Sequence, residues 1–262
     1  MDLSPSWRKS NSYRKTYYLM NNYYRTIIIN LHRIIYYLVK TWIWKRHPEL
    51  HTDKERYEIA REMVQKMNKS AGYNTITIGE EKLPKDGGYI MYPNHQGKYD
   101  VLGIFIAHKE PCSFVMDEKK SHIILVAEFL WLVRGKPLIM DDLRQTINVF
   151  KEIAKEVIEE GRRYILFPEG GYKENNRNIV EPFKAGSFKL ALMTKAPIVP
   201  VALVDSYKVY NSPHKGPVTT YVYYLDPILY DEYKDKKTVE IAKIVEDRIK
   251  EKIAEHLEQV GA

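Results

Sequence analysis

The amino-acid sequence predicts an α/β fold, with a mostly parallel or mixed sheet flanked by helices and an N-terminal amphipathic helical arm. From about residue 73 onward, short apolar runs of strand type alternate with amphipathic helical segments, a pattern typical of strands joined by helical crossovers. The first 46 residues differ, because they hold nine Lys or Arg, one acidic residue and ten aromatics. We therefore predict a basic, aromatic arm over residues 1–72 and a globular domain over residues 73–262.

The composition is that of a folded protein from a reducing compartment. The 262 residues are 44% hydrophobic and 29% charged, a balance found in globular rather than disordered chains. Cys112 is the single cysteine, so an intramolecular disulfide is excluded. The net charge of +7 comes from the arm, which leaves the remainder of the chain close to neutral.

The arm contains a long apolar segment, residues 26–44, whose polar interruptions argue against a membrane span. A span needs about 20 nearly continuous apolar residues, whereas Asn30, Arg33 and Lys40 fall inside this segment. Drawn as one helix, the segment has an apolar stripe, which predicts a helix lying on an anionic membrane surface. Packing against the domain and binding to nucleic acid are the alternatives, although no nucleic-acid module accompanies the arm. The stripe consists of Ile27, Leu31, Ile34, Leu38 and Trp42.

The other elements follow in order along the chain. Thr52 and Glu55 form a capping box that opens a helix ending near Gly72. Apolar and alternating runs predict strands at residues 75–78, 89–92, 113–116, 138–140, 164–167, 198–204 and 219–225. Helical periodicity predicts helices at residues 101–107, 123–133, 146–160, 183–195 and 238–258, with loops at 208–217 and 232–237.

His95 and Asp100 follow the second predicted strand, which Pro93 ends. Five positions apart on one turn, the carboxylate can hold the imidazole in one tautomer and stabilise its protonated form. No Ser or Cys has a spacing that would make it the nucleophile for this base, so a substrate hydroxyl would give up the proton. The alternative is a loop histidine with Asp100 as the N-cap of the next helix.

Four further blocks follow in a fixed order, and an ordered set is far more specific than any single block. Together with the His95 run they resemble the glycerolipid acyltransferase family, the PlsC-like lysophosphatidate acyltransferases, over about residues 90–205. The blocks are RGKPLIMDDLR at 134–144, ILFPEGG at 165–171, FKAG at 183–186 and PIVPV at 197–201.

The resemblance implies an O-acyltransferase of phospholipid biosynthesis that moves a fatty acyl group from an acyl thioester to 1-acylglycerol 3-phosphate, giving phosphatidate. His95 and Asp100 would be the catalytic pair. The thioester of coenzyme A or of acyl carrier protein would be a co-substrate, with no cofactor and no metal. An acyltransferase for glycerol 3-phosphate or another lysophospholipid, and a non-catalytic membrane-surface binding protein, are the alternatives. The residues implied in acceptor binding are Arg144, Glu169, Gly170, Gly171 and Lys184.

Two departures from the family pattern bear on the acceptor. Gly97 stands where the family commonly has a small hydroxyl residue, and Gly171-Tyr172-Lys173 stands where it commonly has Thr-Arg-Ser. Lys173 and Arg177 are the alternatives for the missing arginine. The expected location is the cytoplasmic face of the cell membrane, as a peripheral or monotopic protein. Its partners would be anionic phospholipid, a lysophospholipid and the thioester donor, with no nucleic acid.

Overall fold

The computed structural model describes residues 22–139, 142–173, 177–211 and 216–261. Its strands are β1 (Tyr73–Ile78), β2 (Ile90–Pro93), β3 (Cys112–Asp117), β4 (Lys136–Leu138), β5 (Arg163–Ile165), β6 (Ile198–Val204) and β7 (Val218–Tyr224). They form one sheet in the order β1-β7-β6-β2-β5-β3-β4. β6 and β7 are antiparallel, and the other neighbouring pairs are parallel. The predicted mixed α/β sheet is confirmed.

Helices cover both faces of this sheet. Before β2 lie α1 (Asn22–Ile29), α2 (Leu31–Trp44) and α3 (Asp53–Ala71). Between β2 and β5 lie α4 (Asp100–Ala107), α5 (Glu118–Ser121), α6 (Ile124–Leu132) and α7 (Leu143–Glu159). After β5 come α8 (Lys189–Thr194), α9 (Tyr207–Tyr210), α10 (Tyr230–Tyr233) and α11 (Thr238–Val260).

The core is divided between the two faces because side chains alternate along each strand. In β2 both Ile90 and Met91 are fully buried, yet they belong to opposite layers. Ile90 packs with residues of α7, α8 and α11, whereas Met91 packs with residues of α3, α4 and α6. Strands buried on both faces give nearly continuous apolar runs, which is how the sequence of β6 reads.

Three adjacent strands direct their following loops to one edge of the sheet. β6, β2 and β5 are neighbours in the sheet, and β2 is parallel to both of the others. The loops that begin after Pro93, Ile165 and Val204 therefore open at the same carboxyl edge. In open α/β sheets this edge is the usual location of a ligand site.

Most predicted elements are present with shifted ends, but several regions differ. The strand predicted over 138–140 overlaps β4 at Leu138 alone, and residue 140 lies outside the described residues. The helix predicted over 183–195 is a 3₁₀ turn (Ala185–Phe188) followed by α8. The loop predicted over 208–217 begins inside α9, and that predicted over 232–237 begins inside α10. The short helix α5 was not predicted, because four residues are too few to show helical periodicity.

The helix predicted over residues 26–44 is two helices, because the chain is interrupted at Asn30. This side chain is fully buried: its Nδ2 donates to the Thr26 carbonyl at 2.9 Å, and its Oδ1 accepts from Arg33 and from Ser70. Asparagine side chains that bond to nearby backbone compete with helical hydrogen bonds. α1 therefore ends beside Asn30 and α2 begins just after it.

The predicted apolar stripe is not a single face. Ile34 of that stripe is buried, whereas Leu31 and Trp42 are each 53% exposed. The side that packs on the domain includes the polar residues Thr26 and Thr41, which are buried. The opposite side, here called the outer arm face, consists of Tyr24, Ile28, Leu31, Ile35, Tyr36, Val39, Trp42 and Ile43, all more than half exposed.

None of the helices in the described part of the chain has both the length and the apolar character needed to cross a bilayer. Residues 1–21 of the predicted arm lie outside the described residues. The predicted capping box of Thr52 and Glu55 is confirmed, and Gly72 ends α3 with a φ of 80°. The division of the chain at residue 72 stays a prediction.

An ion-pair cluster fixes the start of α3 against the sheet. Asp53 accepts from Arg134 at 2.8 Å and from Arg162, and Glu156 of α7 lies 2.8 Å from Lys136. Burial raises the pKa of Asp53 and of Glu156, but their hydrogen-bonded and cationic partners outweigh burial and hold each pKa below its usual value.

Candidate active site

His95 and Asp100 form a hydrogen-bonded pair at the carboxyl edge of the sheet. His95 lies on the loop after β2 with 17% of its side chain exposed, and Asp100 is the fully buried first residue of α4. The Nδ1 atom of His95 is 2.7 Å from Oδ2 of Asp100. A carboxylate on Nδ1 favours the tautomer whose Nε2 carries the lone pair, and Nε2 is then the atom that can accept a proton.

The Asp100 carboxylate is held by further donors. Oδ2 also accepts from the backbone N–H groups of Gln96 and Gly97, and Oδ1 accepts from the Ser206 hydroxyl at 2.6 Å. Tyr99 is the N-cap of α4. The alternative that Asp100 serves as that N-cap is therefore wrong, because its carboxylate bonds to the preceding loop and to His95.

Two aromatic rings enclose the imidazole of His95. The Phe167 ring stacks on it at 4.1 Å with an interplanar angle of 27°, and the Tyr172 ring meets it edge-on at 4.8 Å. Both rings come from the segment after β5. Packing on two sides restricts the ring to one orientation, which general-base catalysis requires.

Glu169 approaches the same loop from β5. Its Oε1 accepts the backbone N–H of His95 at 2.9 Å. Oε2 is buried and has no hydrogen-bond partner among the described residues. Burial raises the pKa of Glu169 to about 8, the His95 N–H opposes that rise, and nearby Asp100 adds to it. This environment favours the neutral carboxylic acid, which can donate a hydrogen bond.

Lys184 lies beside Gly170, the residue after Glu169. The backbone N–H of Lys184 donates to the Pro168 carbonyl at 2.9 Å, and its side chain occupies the space that a Cβ on Gly170 would need. Gly170 has a φ of 73° and Gly171 a φ of 148°, conformations that favour glycine. Among the described carboxylates, none lies within ion-pair distance of Lys184. The structure therefore brings together the predicted site residues His95, Asp100, Glu169, Gly170, Gly171 and Lys184.

Arg144 is the predicted site residue that the described contacts do not join to this group. It lies in the first turn of α7 and is exposed. Of the alternatives for the missing arginine, Lys173 is 2.8 Å from Glu181, and Arg177 is exposed. A phosphate-binding role for Arg144 stays a prediction.

Lys120 is a cation near the site that the sequence did not indicate. Its Nζ lies 5.8 Å from the centre of the Tyr172 ring, which itself contacts His95. Lys120 belongs to the unpredicted helix α5, and 52 positions separate it from Tyr172. A cation–π contact between such distant residues has no local sequence signal.

Gly97 is explained by its neighbour Asn211. A Cβ on Gly97 would lie 2.7 Å from Asn211 Nδ2, and that amide donates to the Gln96 carbonyl at 3.2 Å. The asparagine thus occupies the space that a small hydroxyl side chain would take. Among the described residues, no group of three or more His, Cys, Asp or Glu is placed to hold a metal ion.

A mixed α/β sheet whose carboxyl edge carries a histidine bonded to a buried carboxylate has the arrangement of a glycerolipid acyltransferase. A family model described as Acyltransferase matches residues 74–204, which is half of the chain. The chain belongs to this family, as a PlsC-like glycerolipid acyltransferase.

Individual relatives agree with this assignment. The chain is 28% identical over 165 residues to a protein of Ovis aries named 1-acyl-sn-glycerol-3-phosphate acyltransferase alpha, covering 59% of this chain and 53% of that protein. It is 29% identical over 189 residues to 1-acyl-sn-glycerol-3-phosphate acyltransferase of Borreliella burgdorferi, covering 70% of this chain and 73% of that protein. The match thus spans about half the length of the sheep protein and nearly three quarters of the bacterial one.

A solved structure shares the fold. The crystal structure of the 1-acyl-sn-glycerophosphate acyltransferase PlsC from Thermotoga maritima superposes with a TM-score of 0.71 over 89% of this chain and 96% of that one. The two sequences are 19% identical over the matched region, so this likeness concerns the fold alone.

Proposed function

We propose that this protein is an O-acyltransferase that moves a fatty acyl group from an acyl thioester to the free hydroxyl of 1-acylglycerol 3-phosphate, giving phosphatidate. The observation that carries the proposal is the 2.7 Å contact between His95 Nδ1 and Asp100 at the carboxyl edge of the sheet. The printed names of the relatives from sheep and Borreliella support the choice of acceptor.

In the proposed reaction His95 is the general base. Its Nε2 takes the proton of the acceptor hydroxyl as that oxygen attacks the thioester carbonyl, and Asp100 stabilises the imidazolium that forms. The resulting tetrahedral intermediate expels the thiolate, which receives the proton from His95. An ester bond forms and a thioester bond breaks, with no oxidation or reduction.

Glu169 and the nearby lysines are proposed to hold the acceptor. The neutral Glu169 carboxyl can donate from its unpaired, buried Oε2 to an oxygen of the glycerol unit. Lys184, next to Gly170, and Lys120, next to Tyr172, supply positive charge on the two sides of the loop after β5. A phosphate monoester would then be bound by point charges rather than by the family's arginine.

Membrane association is proposed through the outer arm face. Its eight exposed apolar side chains lie together on α1 and α2, and Arg25, Arg33 and Lys40 occur on the same helices. Tyr, Trp and basic side chains around an apolar face are typical of helices that lie in the membrane interface. These features support a peripheral or monotopic position; the cytoplasmic face of the cell membrane is part of the proposal.

One observation favours a second acceptor class. Tyr172 stands at the position of the family's arginine and contacts the base directly. A lysophospholipid with a headgroup other than the phosphate monoester is therefore the alternative acceptor. A non-catalytic surface-binding protein is less well supported, because the base, its carboxylate and Glu169 are all in contact.

The deciding experiment is an acyl-transfer assay with the purified full chain in mixed micelles. The acceptors are 1-acylglycerol 3-phosphate, glycerol 3-phosphate and a choline lysophospholipid, each offered with a coenzyme A and an acyl carrier protein thioester. We expect the highest kcat/KM with 1-acylglycerol 3-phosphate. Preference for the choline lipid would replace the proposed acceptor, and no transfer to any acceptor would contradict the proposed activity.

A further inference from the structure

Ser206 contacts the buried carboxylate from the far side of the site. It follows β6, precedes α9 and is 3% exposed. Its hydroxyl donates to Asp100 Oδ1 at 2.6 Å, across 106 positions of sequence. This residue lies just after the PIVPV block and carries no motif of its own.

We propose that Ser206 is a positioning residue that fixes the rotamer of the Asp100 carboxylate and thereby the orientation of the His95 base. The proposal builds on the proposed function, because it assigns a role within the same site. Ser206 acts through Asp100, because its described side-chain contacts are with Asp100 and Gln96 and not with the His95 ring.

The donors on the carboxylate are unevenly divided. Oδ2 accepts from the His95 ring and from two backbone N–H groups, those of Gln96 and Gly97. Among the described residues, Oδ1 accepts a hydrogen bond from the Ser206 hydroxyl. Without that hydroxyl, Oδ1 would be a fully buried oxygen lacking a partner, which is unfavourable. The carboxylate would then be held through Oδ2 alone, and the angle of its plane to the His95 ring would be less well fixed.

The Ser206 hydroxyl has two acceptors within reach, Asp100 and Gln96. Oε1 of Gln96 lies 3.2 Å from Ser206 Oγ and also faces the backbone N–H of Tyr207, while Nε2 of the same side chain donates to the Leu203 carbonyl at 2.6 Å. A hydroxyl has one proton, and the shorter contact with a charged acceptor is the stronger of the two. The Ser206 proton therefore points to Asp100.

The same network reaches the loop that carries Tyr172. Gln96 Nε2 also lies 3.0 Å from Asn178 Oδ1, which accepts the backbone N–H of Asp205 at 2.8 Å. The segments after β2, β5 and β6 are thus joined by side-chain hydrogen bonds around Asp100. Buried networks with every member bonded hold one geometry better than isolated pairs do.

The test compares Ser206→Ala with Ser113→Ala. Ser113 is a matched control, because it is a fully buried serine whose hydroxyl donates to the Val133 carbonyl at 2.7 Å, away from the site. We expect Ser206→Ala to lower kcat by about 10- to 100-fold, the range for losing a hydrogen bond to a charged group in the transition state. The KM for both substrates should stay within about twofold, and Ser113→Ala should keep the parental kcat.

A second readout does not depend on turnover. The proton shared by His95 Nδ1 and Asp100 should give a low-field proton NMR resonance in the parent and in Ser113→Ala, and Ser206→Ala should broaden or shift it. Glu169, the titratable group that contacts the His95 backbone, is the same in all three proteins. Melting temperatures show that each variant is folded.

The outcomes separate this proposal from the proposed function. A parental kcat and an unchanged low-field resonance in Ser206→Ala would overturn the positioning role. Equal losses of kcat in Ser206→Ala and Ser113→Ala would show that both serines have only a general structural role. That result would also overturn the positioning role of Ser206. A parent without acyl transfer would contradict the proposed function, while the resonance would still decide the role of Ser206.

Discussion

Glu169 Oε1 accepts the backbone N–H of His95 at 2.9 Å, so the loop after β5 is bonded directly to the loop that carries the proposed base. This contact orients the buried carboxyl group, whose second oxygen is left without a partner among the described residues. In the described contacts Glu169 is thus bonded to His95 and not to Arg144. The chemistry of the site therefore depends on how these two loops meet.

The first prediction concerns the base. His95→Ala should lower kcat by about 10²–10⁴-fold, the usual contribution of general-base catalysis. Asp100→Asn should also lower kcat severely, because the amide cannot stabilise the imidazolium through Nδ1. His47→Ala is the control, since His47 is exposed on the turn after α2. A His95→Ala protein that turns over within a few-fold of the parent would remove His95 from the mechanism.

The second prediction concerns the pH dependence of stability through Glu169. Burial raises the pKa of Glu169 to about 8, whereas the pKa of a glutamate in the unfolded chain is about 4.3. The folded chain then binds a proton that the unfolded chain has lost, so the free energy of unfolding decreases as pH rises from about 5 to about 8. Glu169→Gln should flatten this decrease. Urea denaturation across that range measures it.

The control for Glu169→Gln is Glu81→Gln, at an exposed position. It should leave the parental pH dependence in place. An equal pH dependence in the parent and in Glu169→Gln would show that the carboxyl group is ionised in the folded protein. It could then not donate a hydrogen bond to the acceptor.

The third prediction separates two phosphate ligands. Lys184→Ala should raise the KM for 1-acylglycerol 3-phosphate by about 10-fold or more and leave the thioester KM nearly unchanged, because a charged hydrogen bond to phosphate is lost. The sequence-based alternative predicts this result for Arg144→Ala. Lys243→Ala, on the exposed surface of α11, controls for loss of charge. An increase in KM seen only in Arg144→Ala would indicate that the phosphate binds at the start of α7 instead.

The fourth prediction concerns the ion-pair cluster at the start of α3. Asp53→Asn should lower the free energy of unfolding at pH 7 by about 1–3 kcal/mol, since Arg134 and Arg162 lose a shared charged acceptor. The pKa of Asp53 is lowered in the fold, so its contribution is present above the unfolded pKa of about 3.9 and is lost as pH falls below it. The difference between parent and variant should therefore shrink in acid. Asp231→Asn, at an exposed site, should change stability little at either pH.

Local patterns were sufficient to predict much of the fold and the centre of the site. β6 was predicted within its observed bounds, because seven apolar residues between breakers leave few other interpretations. His95 and Asp100 lie five positions apart on one turn, so their contact is also local. The remaining contacts depend on which strands become neighbours. Ser206 with Asp100 and Lys120 with Tyr172 meet only after the sheet has formed.

The arm shows why periodicity alone failed to assign its faces. An apolar stripe marks an amphipathic helix but does not say which side packs on the protein. Here Asn30 breaks the helix, and its hydrogen bond with Ser70 turns a polar edge toward α3. Ile34 and Tyr37 are buried with that edge. The apolar side chains expected to pack or to dock are thus divided between the two surfaces.

The last prediction concerns membrane binding by the outer arm face. Deleting residues 1–46 would also remove the buried Ile34 and Tyr37, so surface substitution is the cleaner test. The triple variant Leu31→Ser, Ile35→Ser, Val39→Ser changes three exposed side chains and no buried one. Apolar surface buried in lipid contributes about 25 cal/mol per Å² to binding. Losing these three apolar side chains should therefore release the protein from anionic vesicles at high salt. At low salt the basic residues should retain part of the binding, at about 1 kcal/mol each.

The control is the variant Ile76→Ser, Ile78→Ser, whose two side chains are 38% and 39% exposed on the edge strand β1. It should float with vesicles as the parent does at both salt concentrations. Activity on a membrane-embedded acceptor should fall in the triple variant, while a short, water-soluble acceptor is acylated at the parental rate, because the base and its carboxylate are untouched. If the triple variant floated as well as the parent at high salt, the membrane would be bound by another surface, and the outer arm face would serve a different partner.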